Sequence, residues 1–333
     1  MAPLQNGTPK IEIAYEICSV DQTNHDRVLR FWTDLTSSLG WDRHAQDSHV
    51  HLESATEENW FVVIPQKAPS GEPVSEVGSP QGSIIACHFD NGTGWIGFFV
   101  MAEEFRGYGL GGKLFQAAMD SFHAKGIEYI GLDGVPEQRE TYGRRGFVET
   151  NLISVCSRPH LDNIPPPPAG GLAHGEELIS WIGALSPIDM TRSDLEYCGL
   201  ERSRLWKKQA ESQYHAKGLA LIGGDKTSKG WVLLRKSIHG YRIGPLYAES
   251  RNTASVLLRA IMDSVAEEER SSHPVVAEVW RSNEHAVALF EEYGFETAGT
   301  YHRMWYKGKV PPAQAPGGKA DQAMYAIYDA VEG

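Results

Sequence analysis

Cysteine and positive charge are both scarce in this chain. Its four cysteines, Cys18, Cys87, Cys156 and Cys198, stand far apart in 333 residues, so none has the paired spacing of a zinc, iron–sulfur or dithiol redox site. They read as reduced, mostly buried thiols, the usage of a cytoplasmic protein. Lysine and arginine number 31 against 43 aspartates and glutamates, a net charge of −12. That balance argues against a nucleic-acid partner, whose binders cluster basic residues, and it mildly favours a cationic small molecule. No apolar run reaches the ~18 residues of a membrane span, and MAPLQNGTPK at the start holds no signal-peptide core. Neither a membrane nor a metal is expected.

What is present is a chain too long for one core, with 41% hydrophobic residues, so two domains are expected. Its organising stretch is 95–124. An apolar strand (95–101) leads through an acidic turn to Arg106, then to Gly107, Gly109, Gly111 and Gly112, which open a helix. Glycines let backbone amides approach a phosphate, and a helix N-terminus adds unpaired N–H groups and a positive dipole end. In that helix Leu110, Leu114, Ala118 and Phe122 recur every fourth residue, giving one apolar face against a sheet.

Around this stretch, hydrophobic periodicity predicts strands at 11–20, 60–64, 83–89, 127–132 and 147–157 and helices at 21–40 and 136–145. Residues 158–175 contain four consecutive prolines and read as a linker. The second half repeats the outline: helical segments over 176–214, strands at 218–223, 230–236, 241–248 and 275–280, helices at 252–268 and 284–293, and a strand from Phe295. The tail segment MYAIYDA is expected to return as an edge strand. The class is α/β or α+β.

Three phosphate ligands fit the glycine loop. Residues 107–113 spell GxxxxGK, but a triphosphate loop then needs Ser or Thr for magnesium, and Leu114 stands there. Gly107, Gly109 and Gly112 spell GxGxxG, with Asp133 some way on, yet residues 101–106 separate the glycines from the strand, and Glu103 and Glu104 would repel a pyrophosphate. The third ligand is coenzyme A. Residues 106–111 fit the [Q/R]xxGx[G/A] signature of the GCN5-related N-acetyltransferases, and 142–147, YGRRGF, resembles that family's closing motif. The second half resembles the family again, as a tandem member with a YitH-like C-terminal domain: NEHAVALF through Gly294-Phe295, GPLYA and HRMW carry the likeness. There Phe290 replaces the tyrosine, and the loop position at Arg251 has no glycine.

The resemblance implies two tandem domains, each a mixed, mostly antiparallel sheet flanked by helices: residues 1–160 catalytic, 161–175 a linker, 176–333 degenerate for the cofactor. It implies acetyl-CoA as co-substrate and transfer of acetyl to a primary amine, expected to be a small molecule, without a covalent enzyme intermediate. The backbone of Phe99 and Met101 is expected to hold pantetheine and polarise the acetyl carbonyl. Amides of Gly107, Tyr108, Gly109, Leu110, Gly111 and Gly112 would hold the pyrophosphate, with Arg106 and Lys113 as side-chain partners. Tyr142 is the expected acid for the departing thiolate. For the amine proton, Glu103, Glu104, His88, Asp90 and Asp133 are open candidates, with His302, Glu278, Tyr247 and Arg242 from the second half. A non-catalytic acyl-CoA-binding sensor is the competing expectation, and a dinucleotide oxidoreductase a distant third.

Overall fold

The computed structural model describes residues 13–74, 78–166, 171–180, 185–211 and 216–333. Pro167, Pro168 and Tyr214, which fall within the expected linker and helical stretch, lie outside the described residues. The strands are β1 (Tyr15–Ser19), β2 (Trp60–Pro65), β3 (Gly82–His88), β4 (Thr93–Met101), β5 (Tyr129–Gly134), β6 (Phe147–Arg158), β7 (Glu177–Ser180), β8 (Ala216–Ile222), β9 (Ser228–Lys236), β10 (Tyr241–Ala248), β11 (Val275–Trp280), β12 (Glu296–Tyr306) and β13 (Met324–Ala326). They join in one sheet in the order β1-β2-β3-β4-β5-β12-β6-β11-β13-β10-β9-β8-β7. Helices α1 (His25–Ser38), α2 (Asp47–Ala55), α3 (Leu110–Ala124), α4 (Arg139–Gly143), α5 (Pro187–Tyr197), α6 (Ser203–Gln209), α7 (Arg251–Asp263), α8 (Glu267–Arg270), α9 (Ala286–Glu292) and α10 (Lys319–Ala323) flank it.

The two halves exchange their last long strands. β12, from the second half, lies between β5 and β6 of the first, with His302 opposite Gly134 on one side and Leu152 on the other. β6 in turn pairs with β11 along its C-terminal part, Val275 opposite Arg158 through Trp280 opposite Ile153. Periodicity identifies a strand but not its neighbour, so this exchange was not foreseeable. The structure also corrects two expectations. Part of 176–214 is strand, β7 pairing antiparallel with β8. The tail segment is no edge: β13 is inside the sheet, against both β10 and β11.

Three cores follow from the apolar faces. α3 buries Leu110, Leu114, Phe115, Ala118, Met119 and Phe122 against β2–β5, as its spacing predicted. α7 does the same in the second half with Leu257, Leu258 and Ile261. A third cluster, rich in tryptophan, combines α1 and α2 of the first half with α5, α6 and residues 327–331 of the second. This shared core explains why the chain forms one body. Within it Asp329 and Glu332 are fully buried; Glu332 accepts from Ser54 Oγ at 2.8 Å and meets His51 Nδ1 at 2.9 Å.

Candidate active site

The site begins with a break in pairing. β4 runs parallel to β5 only from Thr93–Tyr129 to Ile96–Leu132. Then Phe98 adopts a positive φ of 46°, and the β3 register slips, Gly97 facing Ile85 while Val100 faces Ser83. This is a β-bulge, which bends a strand away from its neighbour. Gly97 at its start is a close-approach glycine, because an added Cβ would lie 2.1 Å from the Val331 carbonyl oxygen. Past the bulge the Ala102 amide donates back to Gln81, on the β3 side, at 2.8 Å. Groups alternate along a strand, so the backbone of Phe99 and Met101 faces the slot left by β5.

The glycine loop closes one end of that slot. Gly107 and Gly109 have φ of 85° and 84°, the left-handed region where glycine is favoured, and Gly109 is the N-cap of α3 without any side-chain cap. The amides of Gly112 and Lys113 turn back to the Gly109 carbonyl at 3.0 and 3.3 Å, while those of Leu110 and Gly111 donate to no backbone acceptor among the described residues. Open donors at a helix N-terminus suit an anion. A cavity of about 610 Å³ lies over them, lined by Gly107, Gly109, Gly111, Gly112, Arg106 and Met101 among others. The Leu110 side chain is buried in the core, leaving its amide to the loop. Tyr108 and Lys113 are exposed and do not line this cavity.

Arg106 is partly committed, since its Nε donates to the Met101 carbonyl at 3.0 Å. Arg145 lines the same cavity, its guanidinium 4.8 Å above the Phe115 ring, and was not singled out as a site residue from sequence. Its position two residues before Phe147 in the closing motif was the available signal. Trp41 and Gln138 were also missed; both line this cavity and a second one beside it.

The second cavity, about 270 Å³, starts where the first ends, with Trp41, Phe99, Val135, Gln138 and Tyr142 common to both. Tyr142 packs among Phe99, Phe115 and Phe147, and its hydroxyl makes no hydrogen bond among the described residues. Burial pushes its pKa up to about 12, so the phenol keeps its proton at neutral pH. The walls come from both halves: Arg43, Asp133 and Val155 from the first, Arg242, Val276, Tyr301 and Val331 from the second.

The candidate bases separate cleanly. Asp133 lines the second cavity, but Arg303 donates to both its oxygens, at 2.8 and 2.5 Å; burial raises its pKa against that cation. Arg242 also lines it, paired with Glu278. The others are elsewhere. His88 sits 3.0 Å from Ser121 Oγ and against Phe122, with its pKa lowered to about 4, chiefly by burial. Asp90 pairs with Arg204 at 3.7 Å, Glu103 and Glu104 are exposed on the acidic turn, His302 pairs with Glu149 at 2.7 Å, and the Tyr247 hydroxyl, outside the cavity lining, donates to Asp194 at 2.6 Å. No group of three or more metal-ligating side chains occurs among the described residues, and no described helix is long and apolar enough to cross a membrane.

With this geometry in place, comparison with known proteins is informative. A model described as acetyltransferase (GNAT) family matches residues 29–147, and one described as acetyltransferase (GNAT) domain matches 190–316. A holothin acyltransferase of Pseudoalteromonas is 26% identical over 235 residues, 71% of this chain and 74% of that protein. Among solved structures, a putative acetyltransferase from Pyrococcus horikoshii superposes with a TM-score of 0.68 at 16% identity, covering 96% of both chains. A tandem GNAT protein from the clavulanic acid biosynthesis pathway gives 0.61 at 16% identity, covering 89% of this chain and all of that one. At these identities the structural matches speak for the fold.

Proposed function

From the premise that this chain belongs to the GCN5-related N-acetyltransferase superfamily, with two such domains in tandem and an acyltransferase activity, we propose that it transfers acetyl from acetyl-CoA to a primary amine of a small molecule. One observation carries this reading: a glycine-cradled slot and a smaller chamber meet at Tyr142 and Phe99. A chamber of about 270 Å³ lies just below the usual range of ligand cavities, roughly 300–1,000 Å³, which favours a small acceptor.

Acetyl-CoA supplies an activated acetyl group as a thioester. The open amides at Leu110 and Gly111, with Arg145 and the uncommitted nitrogens of Arg106, would hold its phosphates. The slot-facing backbone of Phe99 and Met101 would fix the acyl arm, and an amide there would stabilise negative charge developing on the carbonyl oxygen. In the exchange a nitrogen–carbon bond forms and the carbon–sulfur bond breaks; nitrogen loses one proton and sulfur gains one. Tyr142 stands at the junction of the two cavities, where the sulfur would leave. Burial raises the phenol's pKa to about 12, so it holds its proton for the leaving group, and a thiolate departing beside it would be pushed up in the same sense. Its proposed role is to donate a hydrogen bond to the sulfur as charge accumulates and to act as the acid for the thiolate. Asp133 is tied to Arg303, so the amine proton is assigned to water in the chamber. Release of free thiol from acetyl-CoA, measured against a panel of small amines, tests the reading: amine-dependent release is expected, and none with any amine refutes it.

A further inference from the structure

The acceptor chamber has more hydrogen-bond donors than acceptors to receive them. A guanidinium carries five N–H donors. Of the two guanidiniums lining the chamber, Arg43 makes one hydrogen bond, to Asp329, with Glu278 a further 3.7 Å ion-pair contact, and Arg242 makes one, to Glu278. Arg303, outside the chamber, makes three. Each carboxylate in the lining already accepts two hydrogen bonds, about half of its acceptor sites. Asp133 is held by Arg303 on both oxygens, and Asp42 accepts the Ser237 hydroxyl at 2.6 Å and the His239 amide at 3.0 Å.

The charges behind the wall lean the same way. Among the described residues Arg43, Arg235 and Arg242 are in direct contact with two carboxylates, Glu278 and Asp329; Asp47 adds a more distant negative charge to Arg43 and Arg235. Glu278 keeps an oxygen without a partner, yet its side chain is 2% exposed and cannot reach a ligand. Tyr301, in the lining, adds a hydroxyl that burial keeps protonated. Beyond these, Gln138 and the Tyr142 hydroxyl are polar, and the rest of the surface is largely apolar, from Trp41, Phe98, Phe99, Val135, Val155 and Val276.

Resting on the acetyltransferase reading above, we propose that the chamber selects an acceptor whose amine stands on a small apolar or aromatic skeleton that also carries a carboxylate, as in an apolar amino acid, with Arg242 and Arg43 receiving the carboxylate. A carboxylate supplies planar acceptors that match a guanidinium edge, which the protein leaves unfilled. Arg242 is thus a specificity-determining residue drawn from the second half. The net charge of the whole chain, which mildly favours a cationic acceptor, is overruled locally by the unspent donors of the chamber.

The test compares phenylalanine with 2-phenylethylamine, and leucine with 3-methylbutylamine, as acceptors at equal concentrations of free-base amine. The carboxylated member of each pair should have at least a tenfold higher kcat/KM. In Arg242→Gln that advantage should shrink at least severalfold, mainly through KM. Because Arg242→Gln unpairs Glu278 and can cost folding, wild-type protein is also assayed with 3-phenylpropionate and 3-phenylpropanamide: the acid should compete with the acceptor and the amide should not. Equal or better use of the decarboxylated amines, or no inhibition by the acid, overturns the proposal while leaving the acetyltransferase reading intact. Absence of thiol release with every amine removes that reading, and this inference with it.

Discussion

The two halves hold the same slot and treat it in opposite ways. In the first, β4 and β5 pair in parallel and then part, and the opening is bordered by uncapped amides at the start of α3. In the second, β10 and β11 pair in parallel from Tyr241–Val275 to Ile243–Ala277 and then part likewise. There, however, β13 fills the gap, pairing with β10 at Leu246 and Tyr247 and with β11 at Val279. The helix start differs in the same sense. Ser250 caps α7 by accepting from the Thr253 amide at 3.1 Å, and Arg251 pairs with Glu292 across the loop position. The slot that the first half leaves open is filled in the second by the chain itself, and the helix start gains a side-chain cap, although the Arg251 and Asn252 amides still find no acceptor among the described residues. The lesson is that the missing glycine loop is only part of the difference between the halves; in the second the slot is also filled by β13.

The comparison would break most severely if either half stood alone. β12 completes the first half and β6 borders the second, so cutting the chain near residue 165 and expressing the pieces separately should give two insoluble products with unpaired strand edges. The intact chain should melt in one cooperative transition. A soluble, cooperatively folded 1–160 fragment would show that the exchange is dispensable.

Tyrosine and phenylalanine at equivalent places come next. Tyr142→Phe should lower turnover about 10²-fold, near the lower end for proton-handling groups, with acetyl-CoA affinity unchanged by calorimetry. Phe290→Tyr should gain nothing, and placing a hydroxyl in a fully buried site should cost about 1–3 kcal/mol of stability in denaturant titration. Equal turnover of Tyr142→Phe and wild type takes Tyr142 out of the mechanism.

Cofactor binding gives a smaller and more selective effect. An added Cβ at Gly109 meets nothing within 4 Å, so Gly109→Val should fold. A φ of 84° costs a β-branched residue roughly 1–3 kcal/mol, and relaxing it misaligns the cradle, so acetyl-CoA should bind at least tenfold more weakly. Wild type should take one acetyl-CoA per chain; a stoichiometry of two would falsify the occupied second slot.

How much of this was legible in residues alone depended on range. Local signals were reliable: the apolar four-residue repeat of α3, the strand ahead of the loop, and the glycines that leave amides unpaired all express nearest-neighbour physics. Trp41 was invisible as a site residue because nothing in its own segment marks it; it matters through the cavity it borders, and Arg145 was marked only by its place in the closing motif. β13 was misplaced at an edge because its partners are about 50 to 80 residues away in sequence, and alternation says nothing about which edges a strand meets. The base candidates stayed open in the sequence for a related reason. A carboxylate or histidine near the right segment is common, and only the fold shows that Arg303 has already claimed Asp133.

His88 offers the finest test of that last point. Burial lowers its pKa to about 4, whereas the unfolded chain keeps a value near 6.5. The unfolded state therefore binds a proton that the folded state refuses, and stability is lost as pH falls from about 6.5 towards 4. A histidine serving as base would instead place an acidic limb on turnover in the same range. His88→Gln separates these roles, because it removes the titration while keeping a polar group near Ser121. Thermal melts between pH 7 and 5 should show a shallower loss of Tm in the variant than in wild type, while kcat at pH 8 stays the same. A drop in kcat with no change in the melting profile would return His88 to the list of bases and would show that the first half's chemistry extends beyond the chamber bordered by Tyr142.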